Sequence, residues 1–484
     1  MNQNKKTKLI GSFWYLLIFL LPFTSLPFAS KLLGSEMVAA PSILVLLILL
    51  LLLLLNKNQK SLFSHLQIQP LLIFGVFAFL SSILSFWLPI PIQKNFSILQ
   101  NSIRGLGTLL IGISFYFVTI NLIKSKNKLD QTLKVVIVSF IPLAIWSILQ
   151  YVFGQMLDGY PHWMQQIQQN LTTSGGLYRD RLTGFAFEPS WLAHQMNMFY
   201  IPLWISASFT RQSVFKKWKN FFIVEDMFLL ISIFTLIFSK SRVGLITFVF
   251  VLSYIFYRIN HYLITKIQER YRTQTKKILT KVLPFLIIVL YIILLILGLF
   301  FFSQFDNRME NLFKVETYQN RNIFSIANDF VFAERILYWQ TGWKIFNDYP
   351  IFGVGLENVG FFFEEKMPGF AWALDEPRHL MYQADYQGNI KNLWFRLLAE
   401  TGVIGFLSFA VWLFLLFILV NQYQKINSSE FNYWEMVGKI ALISLLVEGF
   451  SIDSFAMPYY WIILGLVSSK YLINKSQEEN QKSE

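Results

Sequence analysis

VLPFLIIVLYIILLILGLFFF, residues Val282–Phe302, runs without a single charge. At 1.5 Å rise per residue, about 20 apolar residues in a helix cross the ~30 Å of bilayer hydrocarbon. Comparable blocks recur, among them SILVLLILLLLLLL (Ser42–Leu55). Over the 484 residues, 55% are hydrophobic and only 14% charged, where soluble domains carry about a quarter charged. The chain reads as an all-α polytopic membrane protein. Its formal charge of +13 would suggest nucleic acid in a soluble chain; here the lysines gather in short loops at one membrane face, and no nucleic acid is expected. There is no cysteine, which rules out disulfides, thiolate catalysis and cysteine zinc sites. The first apolar block has no small-residue cleavage signature and reads as a retained helix.

About twelve spans are expected, near 10–28, 38–55, 69–89, 99–122, 135–153, 191–209, 221–238, 243–258, 282–303, 397–420, 437–452 and 456–472. With the N-terminus inside, the cytoplasmic loops receive NKKTK, NKNQK, KSKNK, RQSVFKKWK and RINHYLITKIQERYRTQTKKILTK. This obeys the positive-inside rule and puts both termini in the cytoplasm. The organisation is then 1–303 with an outer loop at 154–190, a large outer loop at 304–396, further spans over 397–473, and a tail at 474–484. Loops that long are functional or disordered, and these are rich in Trp, Tyr, Phe and Ile, unlike disordered segments. Within the large loop, Phe332, Ile336, Trp339, Trp343 and Phe346 recur at helical spacing. They predict an amphipathic helix on the membrane surface or folded over the bundle.

Arginines kept outside need a reason. Arg181 in YRDRLTGFAFEPSWLAHQ, Arg242 in the turn FSKSRVGL, Arg335 in ERILYW and Arg396 in NLWFRLLAE qualify. Guanidinium groups hold phosphate bidentately and stay charged in partly dry sites. The bland alternative is snorkelling to lipid headgroups. Ser239 and Ser241 serve as helix-end caps, and Trp339, one turn past Arg335, is placed to stack on it. Arg396 and Glu400 sit four apart, the spacing of an ordinary intrahelical ion pair.

Three residues compete as a general base. Glu188 precedes Pro189 at a helix start, where the helix dipole alone explains a carboxylate. His194 shares a polar stripe with Ser190 and Asn197, which implies a polar interior at that span. His379 lies in DEPRHLMY, within the loop. Gly353-Val354-Gly355 allows a tight turn and close backbone approach but matches no nucleotide fingerprint. No metal-ligand spacing is present, and Asp375-Glu376 and Glu364-Glu365 read as solvated surface.

In this order, Arg181–Gly184, SKSRVGL, ERILYWQTGWKIFNDYPIFGVGLENV and NLWFRLLAETGVIGFLSF resemble the O-antigen ligase and O-antigen polymerase superfamily of bacterial inner-membrane proteins, from Arg181 to Phe406. The resemblance implies a GT-C-like bundle with a large helical periplasmic loop. It also implies a metal-independent inverting glycosyltransferase that needs no cofactor. Its partners would be an undecaprenyl-pyrophosphate-linked glycan donor, a glycan acceptor and the lipid bilayer, with a chain-length regulator or flippase beside it. Carried over, Arg181, Arg242 and Arg335 clamp the pyrophosphate, with Lys391 and Arg396 as further cations. One departure stands out: Lys391-Asn392 occupies the place where ligases often carry His-Asn, their usual base. Together with the FEPS variant at Phe187–Ser190, this favours polymerisation of O-antigen or exopolysaccharide repeat units over ligation. A transporter without chemistry is the third reading, for which Glu448 and Asp453 in EGFSIDSF would be the intramembrane charges.

Overall fold

A computed structural model describes residues 3–36, 38–55, 67–91, 93, 96–215, 222–270, 333–384, 386–425 and 431–483, with isolated positions 289, 293 and 296. Apart from those three positions, the expected span at 282–303 and residues 304–332 of the large loop lie outside the described residues. Among the described residues the chain is helical and has no β-strand, only an isolated bridge between Ser25 and Ala39. The helices are α1 (Gln3–Phe19), α2 (Pro27–Leu33), α3 (Pro41–Leu54), α4 (Gln69–Leu84), α5 (Ile98–Leu122) and α6 (Lys126–Tyr151). There follow α7 (His162–Leu171), α8 (Pro189–Gln195), α9 (Ile201–Thr210), α10 (Val224–Phe238) and α11 (Arg242–Arg270). Past residue 332 come α12 (Ala333–Asp348), α13 (Asp375–Tyr382), α14 (Leu393–Lys425), α15 (Tyr433–Glu448) and α16 (Pro458–Ser483).

Five described helices are long and apolar enough to cross a membrane: Gln69–Trp87, Ile98–Leu122, Lys126–Met156, Arg242–Lys266 and Leu393–Tyr423. Two expected spans are interrupted, each at a proline. The block at 10–28 ends as a helix at Phe19, and Pro22 and Pro27 stop it from continuing because proline lacks the N–H and clashes with the preceding turn. The block at 191–209 is α8 and α9 joined through a π-helical turn, Met196–Tyr200, just before Pro202. Such wide turns absorb a disrupted hydrogen-bond ladder.

Helices α5 and α16 pack closely at the centre, with Tyr116 and Ser468 hydroxyls 2.9 Å apart. At one end of the bundle Glu435 is fully buried, gripped by Arg258 at 2.9 and 3.1 Å and by Lys439 at 2.8 Å. The other end carries the loops. There residues 333–392 build a second apolar core from Leu337, Tyr338, Ile345, Val359 and Phe361–Phe363.

This loop unit docks on α14 through a backbone break. Gly402, at φ 63°, interrupts the helix, and the segment Pro350–Gly355 fills the gap. Val354 N–H donates to Ala399 O at 3.0 Å, Gly355 N–H to Glu400 O at 2.9 Å and Val403 N–H to Pro350 O at 2.8 Å. Ser81 of α4 donates to Glu400 O at 2.6 Å. The Gly-Val-Gly turn therefore makes the close backbone approach that its composition predicts: a Cβ at Gly353 would strike the Ala399–Glu400 backbone, and one at Gly402 the Ile351 carbonyl. Gly402→Ala is expected to lose about 1–3 kcal/mol, the usual cost of a strained backbone position. Gly11→Ala, in open space on α1, is expected to be neutral or stabilising. Thermal unfolding in detergent compares the two.

Candidate functional site

Three polar clusters meet at the loop-bearing end, joined by the turn Glu448–Asp453 between α15 and α16. The first lies at the start of α8. His194 Nδ1 is 2.6 Å from Glu448 Oε2, and Asn197 donates to Glu448 Oε1 and to Gly244 O, both at 2.7 Å. All three side chains are buried. Of the polar stripe predicted from Ser190, His194 and Asn197, the two deeper residues face the bundle interior and share Glu448 as partner, while Ser190 turns to Glu188. Buried carboxylates need such pairing. Glu188 stands at the N-cap of α8, where its carbonyl accepts from Trp191 and Leu192 N–H and its carboxylate accepts from Ser190.

Next to it, Leu182 N–H donates to Phe238 O at 2.9 Å and Arg181 Nε to Ser239 O at 3.1 Å. This brings Arg181 against the short turn that leads to Arg242, the first residue of α11. The two serines cap backbone, as expected: Ser239 Oγ accepts from Ser241 N–H, and Ser241 Oγ from Gly244 N–H.

The second cluster is built on Arg396, 1% exposed. Its Nε donates to Glu400 at 3.0 Å, its Nη2 to Glu357 at 2.8 Å and its Nη1 to Asp453 O. The ring of Phe455 lies 5.2 Å from the guanidinium carbon. The i,i+4 pair read from sequence is therefore present, but it belongs to a buried hub and not to a helix surface. The partners Glu357 and Asp453 are far off in sequence, so spacing could not reveal them. Leu393 N–H donates to Gly449 O at 2.7 Å, fastening the start of α14 to the same turn.

The third cluster lies across α12. The helix exists where periodicity placed it, but its buried face is Leu337, Tyr338, Thr341 and Ile345, rotated from the predicted aromatic stripe. The stripe has its own contact: Trp339 lies 6.1 Å from Phe395 and 5.7 Å from Phe450, while Trp343 stays about half exposed. Trp339 thus packs on α14 and the 448–453 turn; Phe332 lies outside the described residues. On the other side, Tyr338 donates to Glu376 Oε1 at 3.0 Å, Lys391 Nζ bonds the same oxygen, and Lys391 lies 5.3 Å from the Tyr338 ring centre. Glu334 comes within hydrogen-bonding reach of Glu376. Burial first, and then the neighbouring Glu376 charge, push the Glu334 carboxyl up to about 7. The Lys391 ammonium holds Glu376 below the ordinary range against the pull of its own burial. Glu376 is a correction to the solvated-surface reading: Asp375 is exposed as expected, whereas Glu376 turns inward to Lys391. Sequence reading gave Glu334 and Glu376 no part in the site, because they meet from different elements. His379, on α13, is exposed, its Nδ1 2.9 Å from Gln383 Oε1.

Among the described residues, three buried donors beside these clusters have no acceptor: Arg335 Nη1, Trp339 Nε1 and Asn392 Nδ2. The Asn392 side chain is otherwise the cap of α14, its Oδ1 accepting from Trp394 and Phe395 N–H at 2.9 and 3.1 Å. Phe395 is the ring that Trp339 stacks on, and Arg335 lies one turn before Trp339, so the three donors follow a seam from α12 to the start of α14. Such a seam suits an anion with several oxygens. Among the described residues no group of three His, Asp or Glu is arranged to hold a metal ion.

Residues 227–410 match the family model described as O-antigen ligase. This match spans the Arg242 turn, α12 and most of the start of α14, and supports the O-antigen ligase and polymerase superfamily as the family of the chain. That family implies a glycosyl-transfer type of enzyme and a lipid-linked glycan donor with an acceptor, and the apolar helices fit a multi-pass membrane protein. No curated protein matches the chain.

Proposed function

From that superfamily, we propose that this chain polymerises oligosaccharide repeat units carried on undecaprenyl pyrophosphate. The transfer is a metal-independent inversion at the periplasmic face of the bacterial inner membrane. The observation that carries this reading is the seam of buried donors without acceptors, Arg335 Nη1, Trp339 Nε1 and Asn392 Nδ2. A buried donor left unmade costs about 1–3 kcal/mol, a cost that a bound pyrophosphate would offset. Arg335, together with Arg181 and Arg242 at the turn before α11, then meets the charge that grows on the leaving oxygen, where electrostatic catalysis is strongest. Arg396 and Lys391 hold the frame in this reading, since their donors already face Glu357, Glu400 and Glu376. His194 does the same from α8 by bonding Glu448. The FEPS sequence and Lys391-Asn392 favour polymerase over ligase. The description of the matched family favours ligation, which is the second reading.

The test is incubation of the purified protein with a synthetic polyprenyl-pyrophosphate oligosaccharide. A ladder of longer glycans still on lipid, with polyprenyl pyrophosphate released, is the expected result. Donor consumed only when a separate acceptor is added points to ligation. Intact donor crossing a vesicle bilayer with no new bond would leave the transporter reading.

A further inference from the structure

The resemblance leaves the reaction without a base: lysine stands at 391, and a protonated ammonium cannot take a proton. Glu188, the leading alternative from sequence, holds the N-cap of α8 with Ser190 on its carboxylate. His194 is buried and committed to Glu448. His379 is on the exposed surface of α13.

The geometry around Lys391 supplies another group. Glu334 and Glu376 come from α12 and α13 and meet within hydrogen-bonding reach. Two carboxylates that close cannot both be ionised without cost, so the pair holds one proton between them. Lys391 Nζ and the Tyr338 hydroxyl both bond Glu376 Oε1, which fixes the negative charge there. The proton therefore belongs to Glu334, the partner that neither of them bonds. Glu334 precedes Arg335 on α12 and Lys391 precedes Asn392 at the start of α14, so the carboxylate pair and the anion-binding donors come from the same two stretches of chain. Lys391 thus has a chemical reason to stand where it does: it tunes a carboxylate pair instead of acting as the base.

We propose that Glu334 is the general base of the transfer, with Glu376, Lys391 and Tyr338 as its positioning and tuning partners; this rests on the glycosyl-transfer reading above. In the step, the acceptor hydroxyl oxygen forms a bond to the anomeric carbon of the donor. The bond from that carbon to the pyrophosphate oxygen breaks, and its electron pair leaves with the pyrophosphate. The hydroxyl proton moves to Glu334 Oε. Glu334 then returns it to water, so no other reactant is needed. The proton affinity suits the task, because a base works best when its pKa lies near the working pH, and burial beside Glu376 pushes the Glu334 carboxyl up to about 7.

The groups facing Glu334 give the test its direction. Activity needs the ionised base, so kcat rises with pH through about 7. Glu376 raises the Glu334 pKa, while Lys391 and Arg335 lower it; Tyr386 acts on the neighbouring Tyr338. With a synthetic polyprenyl-pyrophosphate oligosaccharide as donor, Glu334→Gln is expected to lower kcat about 10²–10⁴-fold with the donor KM little changed. Glu334→Asp recovers part of the rate. Glu376→Gln moves the rising limb to lower pH, and Lys391→Met moves it to higher pH. Purely structural roles would lower the amount of folded enzyme without moving the limb. Wild-type turnover in Glu334→Gln overturns the assignment, as does a limb that ignores both tuning variants. A large loss in Glu188→Gln with Glu334→Gln active would return the role to α8. If the wild-type protein makes no glycosidic bond at all, the glycosyl-transfer reading itself fails, a result distinct from the others.

Discussion

Arg396→Met is expected to destabilise the protein by about 3–5 kcal/mol, the range for breaking a buried ion pair from one side. The guanidinium is 1% exposed and, among the described residues, is the only cation paired with Glu400, which is itself fully buried. Removing it strands that carboxylate and releases three attachments together: α14 to itself at Glu400, the Gly-Val-Gly segment at Glu357, and the 448–453 turn at Asp453 O. Methionine fills much of the volume, so the loss is electrostatic rather than a cavity. The cycle distinguishes the two. If the cost comes from stranded charge, Arg396→Met combined with Glu400→Gln recovers a large part of it, with a coupling of about 0.5–3 kcal/mol. Thermal unfolding in detergent, read by fluorescence-detected size exclusion, measures both. Arg396→Lys is expected to recover little, because an ammonium cannot reach Glu357, Glu400 and the Asp453 carbonyl from one planar fork. A single variant as stable as the wild type would show that the hub contributes nothing.

The same residue marks the limit of what sequence makes legible. Hydropathy carries the membrane character, because chain-length apolar blocks have few other uses. Glycine chemistry carries the docking of Pro350–Gly355, because close backbone approach is a local property. Helical spacing carries the existence of α12 but not its buried face: a run containing Leu337, Tyr338, Trp339, Trp343 and Ile345 offers two apolar stripes, and the helix uses both, one on the loop core and one on Phe395 and Phe450. The polar site is the least legible part. Arg396 reveals Glu400 by spacing but not Glu357 or Asp453. Asp375-Glu376 reads as solvated surface until α13 folds over Tyr338 and turns the second carboxylate toward Lys391. His194 and Glu448 were each visible as polar groups in apolar sequence, yet only the packing of α8 on α15 makes them one pair.

Arg335→Ala is expected to lower kcat/KM for the lipid-linked donor by about 10²–10³-fold, the usual effect of removing one donor from a developing oxyanion. Its fold is expected to hold, because Leu337, Tyr338 and Ile345 anchor α12 in the loop core. Arg335 also lowers the Glu334 pKa, so the alanine variant suffers twice at neutral pH: it binds the leaving group less well, and its base is more protonated. The two effects separate on the pH axis. Protonation costs nothing once pH is well above 7, so the loss that survives at pH 9 is the leaving-group contribution, and the part that disappears is the tuning of Glu334. Arg335→Lys restores the charge, and with it the position of the pH limb, but not the bidentate grip on pyrophosphate. It is therefore expected to behave like the wild type in pH dependence and like alanine in a large share of the high-pH loss. If both variants keep wild-type kcat/KM at every pH, Arg335 takes no part in binding the leaving group, and the seam of donors on α12 has another purpose.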